Sequence, residues 1–229
     1  MNTLRENKGF FASTQQREVL LGLLTHPTIE RSFFLTGGTA LAVFYLHHRV
    51  SDDLDFFTLA PLDLAELDFW IRAQWTGVCS KIKEGPNFLS FLIAETKVEF
   101  VIDPLSNTDY RDTAEFENRR RLQVDNLKNI ISNKLGAIVS RQEPKDFVDF
   151  YFLVEQYPDL DLDATYQDAK RKDAIFDDPP TAAFQLEEGL SLIREKPSLL
   201  PEIRREFDQK KFENSFVELA EWLYRKYKP

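Results

Sequence analysis

The stretch "LTGGTALAVFYLHHRVSDDLDFF" (Leu35–Phe57) decides the fold of the first half of the chain. A short apolar segment ends at Gly37-Gly38, a helix-forming segment follows, and the stretch closes on three aspartates and two phenylalanines. Carboxylates beside apolar rings cost free energy unless a cation meets them. The stretch therefore raises the question of which cation that is.

The three aspartates do not share one environment. Alternate side chains of a strand share a face, so Asp53 and Asp55 are predicted to point one way while Leu54 and Phe56 enter the core. Asp52 points away from the pair. Two carboxylates about 7 Å apart on one strand face offer the oxygen ligands that hard cations take. The pattern predicts a Mg²⁺ site, which Mn²⁺ could also fill.

Gly37-Gly38-Thr39 is predicted to lie where a strand passes into a helix. The free N–H groups and the positive end of a helix bind anions at such a junction, and glycines let a phosphate approach the main chain. Alone, a glycine pair is commonly a turn and an acidic run is commonly a loop. Together, with a helix between them, they favour a metal-dependent phosphoryl or nucleotidyl transferase.

The remaining sequence predicts an α+β fold in two parts. Period-two patterns between residues 78 and 103 predict three strands of an antiparallel meander, after a strand–helix–strand start. From Val124 onward the pattern is helical, with a break near Pro144 and a last helix from Pro201 to Tyr227, interrupted near Lys210. We expect an α+β core over residues 1–110 and a helical region over 111–229 that completes the active cleft.

Composition narrows the classes of protein. One cysteine, Cys79, excludes an intramolecular disulfide and a cysteine-based zinc cluster. No apolar run reaches the roughly 20 residues that span a bilayer, and the first residues lack a signal pattern, so we expect a cytoplasmic protein without membrane association. A net charge of −9 disfavours non-specific nucleic-acid binding. Arg119–Arg121 and Lys170–Lys172 could still form a local basic face, and His47 and His48 are expected at the surface.

A second block, "KLGAIVSRQEPKDFVDFYFL", carries charge at helical spacing. Lys134 and Arg141 fall on one helix face, where they could meet a triphosphate and stabilise charge that develops during transfer. Lys145, Asp146 and Asp149 follow on the next helix, and Asp146 could orient Lys134. We expect Lys134 to be an exposed cleft lysine. The alternative is a salt-bridge cluster that ties the two helices together.

Both blocks resemble the nucleotidyltransferase family of AbiEii/AbiGii-type toxins, within the DNA polymerase β-like superfamily. The family's Gly-Gly-Thr/Ser corresponds to Gly37–Thr39, its Arg-x-Ser to Arg49–Ser51 and its Asp-Leu-Asp-Phe to Asp53–Phe56. Its Lys-x-x-Ala, Arg and Lys-Asp-φ-x-Asp block corresponds to Lys134–Asp149. "TKVEFVIDPL" is similar to the family's strand that carries an acidic residue near the metals.

The resemblance implies a polymerase β-like domain, a mixed β-sheet with flanking helices, followed by a helical region. It implies these residue roles: catalytic Asp53, Asp55, Lys134 and Asp146; nucleotide-binding Gly37, Gly38, Thr39, Arg49, Ser51, Lys134 and Arg141; metal-binding Asp53, Asp55 and Glu99, with Asp103 as the second choice for the third carboxylate.

The same resemblance implies the toxin of a type IV toxin–antitoxin or phage-defence system. Such an enzyme moves a nucleoside monophosphate from an NTP to RNA, for example the 3′ end of a tRNA, and has an antitoxin partner. Two alternatives stay open. One keeps the chemistry on a protein or small-molecule acceptor, and the other is a non-catalytic nucleotide-binding or partner-binding protein.

Overall fold

The computed structural model describes residues 3–106, 110–117 and 119–227. The chain forms two compact units, Met1–Asn126 and Leu127–Pro229. The first unit runs beyond residue 110, where the sequence pattern placed the boundary, because two short strands after that residue join its sheet. Among the described residues, no helix is both long and apolar enough to cross a membrane.

A mixed sheet forms the first unit. Its strands, within the described residues, are β1 (Thr3–Leu4), β2 (Phe34–Thr36), β3 (Asp53–Thr58), β4 (Cys79–Gly85), β5 (Phe88–Ile93), β6 (Thr96–Ile102), β7 (Asp112–Glu115) and β8 (Arg121–Val124). The strand order is β1-β7-β8-β2-β3-β6-β5-β4. In the centre, β3 runs antiparallel to β2 and parallel to β6. The meander predicted from the period-two patterns is β4-β5-β6, and both of its pairings are antiparallel.

Four α-helices lie in the described part of the first unit. They are α1 (Thr14–Leu23), α2 (Pro27–Ser32), α3 (Gly37–Ala40) and α4 (Leu64–Gln74). The side chain of Ser13 caps α1 by accepting a hydrogen bond from the N–H of Gln16 at 3.0 Å. The helix-forming segment of the opening stretch begins at Gly37 as α3 and continues as a π-helical turn over Leu41–Tyr45.

The apolar face of β3 fixes the orientation of the strand. Leu54 and Phe56 are fully buried, and the ring of Phe56 stacks on that of Phe100 in β6 with 5.3 Å between centroids. Phe33, just before β2, meets Phe100 edge-on at 5.4 Å. A slip of one residue in β3 would place Asp53 and Asp55 in this aromatic core, so burial sets the register.

The second unit is helical, as predicted. It contains α5 (Leu127–Ser140), α6 (Pro144–Gln156), α7 (Leu162–Lys170), α8 (Pro179–Glu195) and α9 (Gln209–Arg225). The prediction of a helix from Pro201 is wrong, since α9 begins only after Asp208, whose side chain accepts from the N–H of Lys211. The preceding Phe207 packs edge-on against Tyr151 of α6 at 5.9 Å, which favours an extended segment there.

Candidate functional site

Two of the three aspartates lie on one face of β3. Burial alternates along the strand: Asp53 and Asp55 are half-buried, while Leu54 and Phe56 are fully buried. Asp52 precedes the strand and is exposed. The structure therefore places the aspartates as the alternation predicts, with Asp53 and Asp55 on the face opposite the core.

Strand β6 brings two more charged residues to this face. In the parallel register Asp53 pairs with Lys97 and Asp55 pairs with Glu99, so all four side chains share the face. Asp103 follows the end of β6, and its N–H donates to the carbonyl of Thr58 at 2.8 Å. Of the two residues considered as the third carboxylate, Glu99 is thus the one beside Asp55.

Lys97 was not singled out from the sequence, although its alternation with Val98 and Phe100 would have placed it beside Glu99. Its Nζ lies 2.9 Å from Oε1 of Glu99, with 40% and 25% of the two side chains exposed. Ser90 of β5 also donates its hydroxyl to that oxygen at 3.3 Å. One oxygen of the Glu99 carboxylate, Oε1, therefore accepts from two groups of the protein.

The pKa of the Lys97 amine is raised from its ordinary value. Partial burial is the largest single influence and acts to lower it. The hydrogen bond and charge of Glu99 raise the pKa of Lys97, as do the charges of Asp53 and Asp55, and together they outweigh burial.

Among residues 3–106, 110–117 and 119–227, no three acidic, histidine or cysteine side chains converge as a ready metal-binding group.

The glycine pair lies directly against these side chains. Gly37 has a φ of +70°, and a Cβ atom there would come 2.5 Å from Oδ2 of Asp55. A Cβ atom on Gly38 would come 2.6 Å from Nη2 of Arg49 and 2.6 Å from Oγ of Ser51. The structure thus brings together five residues predicted to form the site, and the positive φ of Gly37 favours glycine at that position.

Thr39 is fully buried, and its hydroxyl is directed at the main chain. It donates to the carbonyl of Asp53 and, at 3.3 Å, to that of Ser51. Nε2 of Gln16, from α1, donates to the same Ser51 carbonyl at 2.8 Å. In this structure Thr39 fastens the start of β3 to α3, which positions Asp53.

The histidines that follow the π-helical turn are not at the surface, so that prediction is wrong. His48 is fully buried, and the half-buried His47 places Nδ1 2.8 Å from the carbonyl of Ala42. Arg49 is only 3% exposed, and its Nη1 donates to the carbonyl of Val50 at 2.8 Å. The chain folds inward here because α3 and β3 must pack closely to bring the glycines to the aspartates.

A buried polar network holds the end of β2, directly before the glycine pair. Asp125 is fully buried, and its carboxylate accepts from Oγ of Thr36 at 2.7 Å and pairs with Nε of Arg111 at 3.0 Å. The guanidinium of Arg111 also lies over the ring of Phe34, 4.1 Å from its centroid. Sequence patterns gave no sign of this network, because its members are far apart in the chain.

In the second unit, Lys134 is buried between two carboxylates. Its Nζ lies 2.6 Å from Oδ1 of Asp146 and 2.6 Å from Oδ2 of Asp149, and both aspartates are fully buried. Arg141 reaches Oδ2 of Asp146 at 3.0 Å with most of its side chain exposed. The expectation of an exposed Lys134 is wrong, because α6 packs on α5 and covers it. The salt-bridge cluster considered as the alternative is present.

The basic run of α7 is engaged by polar partners of its own unit. Lys170 pairs with Asp177 at 3.0 Å, and Arg171 with Asp168 at 2.6 Å. Lys172 donates to the side-chain oxygens of Asn129 and Asn133 on α5, at 3.0 and 2.6 Å. In the first unit, Arg120 donates to the carbonyl of Leu24 at 3.2 Å. These contacts pair much of the basic charge with groups of the same unit, although the Lys170 and Arg171 side chains stay 39% and 61% exposed.

The sequence is similar to a known protein family and to a bacterial protein. The family model described as the nucleotidyl transferase AbiEii toxin of type IV toxin–antitoxin systems matches residues 18–221. An uncharacterised protein of Aquifex aeolicus is 31% identical over 153 residues, which are 62% of this chain and 67% of that protein.

Two solved structures from Helicobacter pylori share the fold. One is described as a candidate nucleotidyltransferase and the other as JHP933. Each aligns with a TM-score of 0.55 at 18% identity over 93% of this chain, and over 96% and 94% of their own lengths. They confirm the predicted mixed sheet with flanking helices and a helical region after it. The family match over most of the sequence is decisive: the chain belongs to the AbiEii nucleotidyl transferase toxin family of type IV toxin–antitoxin systems.

Proposed function

We propose that the protein transfers a nucleoside monophosphate from an NTP to RNA, such as the 3′ end of a tRNA, with Mg²⁺ as cofactor. The observation that supports the proposal most is the closeness of Gly37 to Asp55, since a Cβ atom at Gly37 would come 2.5 Å from Oδ2 of Asp55. The glycine junction that we propose as the phosphate site is thus next to the proposed metal ligands. Family membership implies that an antitoxin partner counteracts the activity.

Asp53 and Asp55 fit the metal better than any alternative. Their carboxylate oxygens are half-buried on one strand face, and oxygen donors suit Mg²⁺ or Mn²⁺ rather than metals that prefer thiolate or imidazole. When bound, the metal neutralises the triphosphate and activates the attacking hydroxyl. The ammonium of Lys97 pairs with the Glu99 carboxylate, so Asp53 and Asp55 form the core of the proposed set of metal ligands.

The glycine junction would receive the phosphates. Gly37 is half-buried and Gly38 buried at the start of α3, where an added Cβ atom would come within 3 Å of Asp55, Arg49 or Ser51. The acceptor hydroxyl attacks the α-phosphorus, the bond to the bridging oxygen of the β-phosphate breaks, and pyrophosphate leaves with the electron pair. The proton of the hydroxyl passes to a carboxylate of the Asp53–Asp55 pair.

Lys134 and Arg141 belong to the proposal through the family resemblance. The resemblance implies that Lys134 acts on phosphate; in the structure its ammonium is held between Asp146 and Asp149 of its own unit. Arg141 has 58% of its side chain exposed and contacts Asp146 at only one end, so it can also meet an anion.

The acceptor is tested by supplying purified protein with each NTP labelled at the α-phosphate, Mg²⁺, and either total RNA or RNA-free lysate protein. Label in RNA, lost when EDTA is added, supports the proposal. Label in protein supports the alternative acceptor, and label in neither overturns transfer to a macromolecule. An Asp55→Asn variant run in parallel shows whether any labelling depends on the site.

A further inference from the structure

Lys97 lies among the three carboxylates proposed as metal ligands. It stands directly across from Asp53 in the β3–β6 register, and its ammonium contacts Glu99 at 2.9 Å. Glu99 in turn is the cross-strand neighbour of Asp55. A positive side chain is thus held on the face that would receive a divalent cation.

A fixed ammonium and a divalent cation on the same strand face oppose each other in two ways. Their charges repel, and at partly exposed positions this repulsion is weakened by solvent but not abolished. They also compete for the same carboxylate oxygen, since an oxygen of Glu99 that accepts from Lys97 and Ser90 has less capacity left to bind a metal.

We propose that Lys97 is a built-in cation that holds Glu99 out of the metal's ligand set, so that Asp53 and Asp55 alone bind the divalent ion in the resting protein. This inference rests on the proposed metal site and adds to it a residue that sets metal affinity. It also accounts for the lack of convergence of three acidic side chains on this face, within the described residues.

The test is a Mn²⁺ titration of the full chain followed by electron paramagnetic resonance of the free ion. Lys97→Met should lower the dissociation constant about tenfold, whereas Lys97→Arg should leave it near the wild-type value. Lys8→Met is a matched control, because it removes an ammonium that pairs with exposed Glu117 at 2.7 Å and should change nothing. Thermal melting of each variant checks that it is folded.

Glu99 supplies the second half of the test. Glu99→Gln alone should change the dissociation constant less than about twofold, and Lys97→Met/Glu99→Gln should lose the gain of the Lys97→Met variant, because coupled neighbours are not additive. Unchanged Mn²⁺ affinity in folded Lys97→Met overturns the role of Lys97 and leaves the metal site standing. No Mn²⁺ binding in any variant overturns the proposed metal site, and this inference with it.

Discussion

Gly37 lies so close to Asp55 that a Cβ atom on it would come within 2.5 Å of the carboxylate oxygen Oδ2. The first residue of α3 and the second aspartate of the Asp-x-Asp pair therefore share one small space. This relationship joins the two sequence motifs into one site. It also explains why a glycine, and no other residue, is expected at position 37.

Gly37→Ala should abolish transfer, because the new methyl group displaces the Asp55 carboxylate. Gly77 provides a matched control: its φ is +84°, close to the +70° of Gly37, but a Cβ atom there meets nothing within 4 Å. Both substitutions carry a backbone cost of about 1 kcal/mol. Loss of NTP binding in folded Gly37→Ala but not in Gly77→Ala is expected, and equal binding in both would remove Gly37 from the site.

Thr39→Val should weaken the start of β3. It removes the hydroxyl that donates to the Asp53 carbonyl, and a buried acceptor left without its donor costs about 1–3 kcal/mol. Thr39→Ser keeps the hydroxyl and should retain most of the stability and activity. Urea denaturation and transfer rates of the two variants check this. A stable Thr39→Val with a raised KM for NTP would instead indicate direct contact between the hydroxyl and nucleotide.

Lys134→Ala should destabilise the second unit by about 3–5 kcal/mol, because it leaves the fully buried carboxylates of Asp146 and Asp149 without their cation. Arg141→Ala should cost only about 0–1 kcal/mol, since that side chain is largely exposed. If Arg141 binds phosphate, its removal should slow transfer about 10²-fold without changing the melting temperature. A Lys134→Ala protein as stable as wild type would contradict the buried cluster.

Stability should fall on mild acidification in part through His26. The ring precedes α2 and packs edge-on against Trp70 at 4.6 Å; burial lowers the pKa of His26, and the charge of Glu66 offsets this in part. The unfolded chain then binds more protons than the folded one below about pH 6.5, so stability decreases as the pH falls. His26→Gln should show a shallower decrease in urea midpoint between about pH 7 and about pH 5.5. Equal slopes in the two proteins would exclude this contribution.

The sequence predicts the centre of the fold well, because local patterns decide it. The alternation of Asp53 and Asp55 with Leu54 and Phe56 depends only on the geometry of one strand, and the glycine pair followed by a helix-forming segment indicates the junction. Strands β7 and β8 are only four residues each, and no local pattern indicates that β8 pairs with β2 and β7 with β8, since these pairings join distant segments.

In the candidate site, too, the contacts between distant segments could not be predicted from the sequence. Alternation along β6 puts Lys97 and Glu99 on one face, but the pairing of Lys97 with Asp53 and of Glu99 with Asp55 follows from the register of β3 against β6, which no local pattern contains. The buried pair of Arg111 and Asp125 likewise depends on tertiary contacts. Helical spacing places Lys134 and Arg141 on one face, but only the packing of α6 on α5 decides that Lys134 is covered.

The central claim is that one face of β3 carries the chemistry, and three single substitutions test it most directly. Asp53→Asn and Asp55→Asn should each abolish transfer of labelled nucleoside monophosphate, because their side chains share the half-buried face beside Gly37. Asp52→Asn should retain near wild-type transfer, since Asp52 is exposed and precedes the strand. Equal rates in the three variants, whether all active or all inactive, would contradict the account.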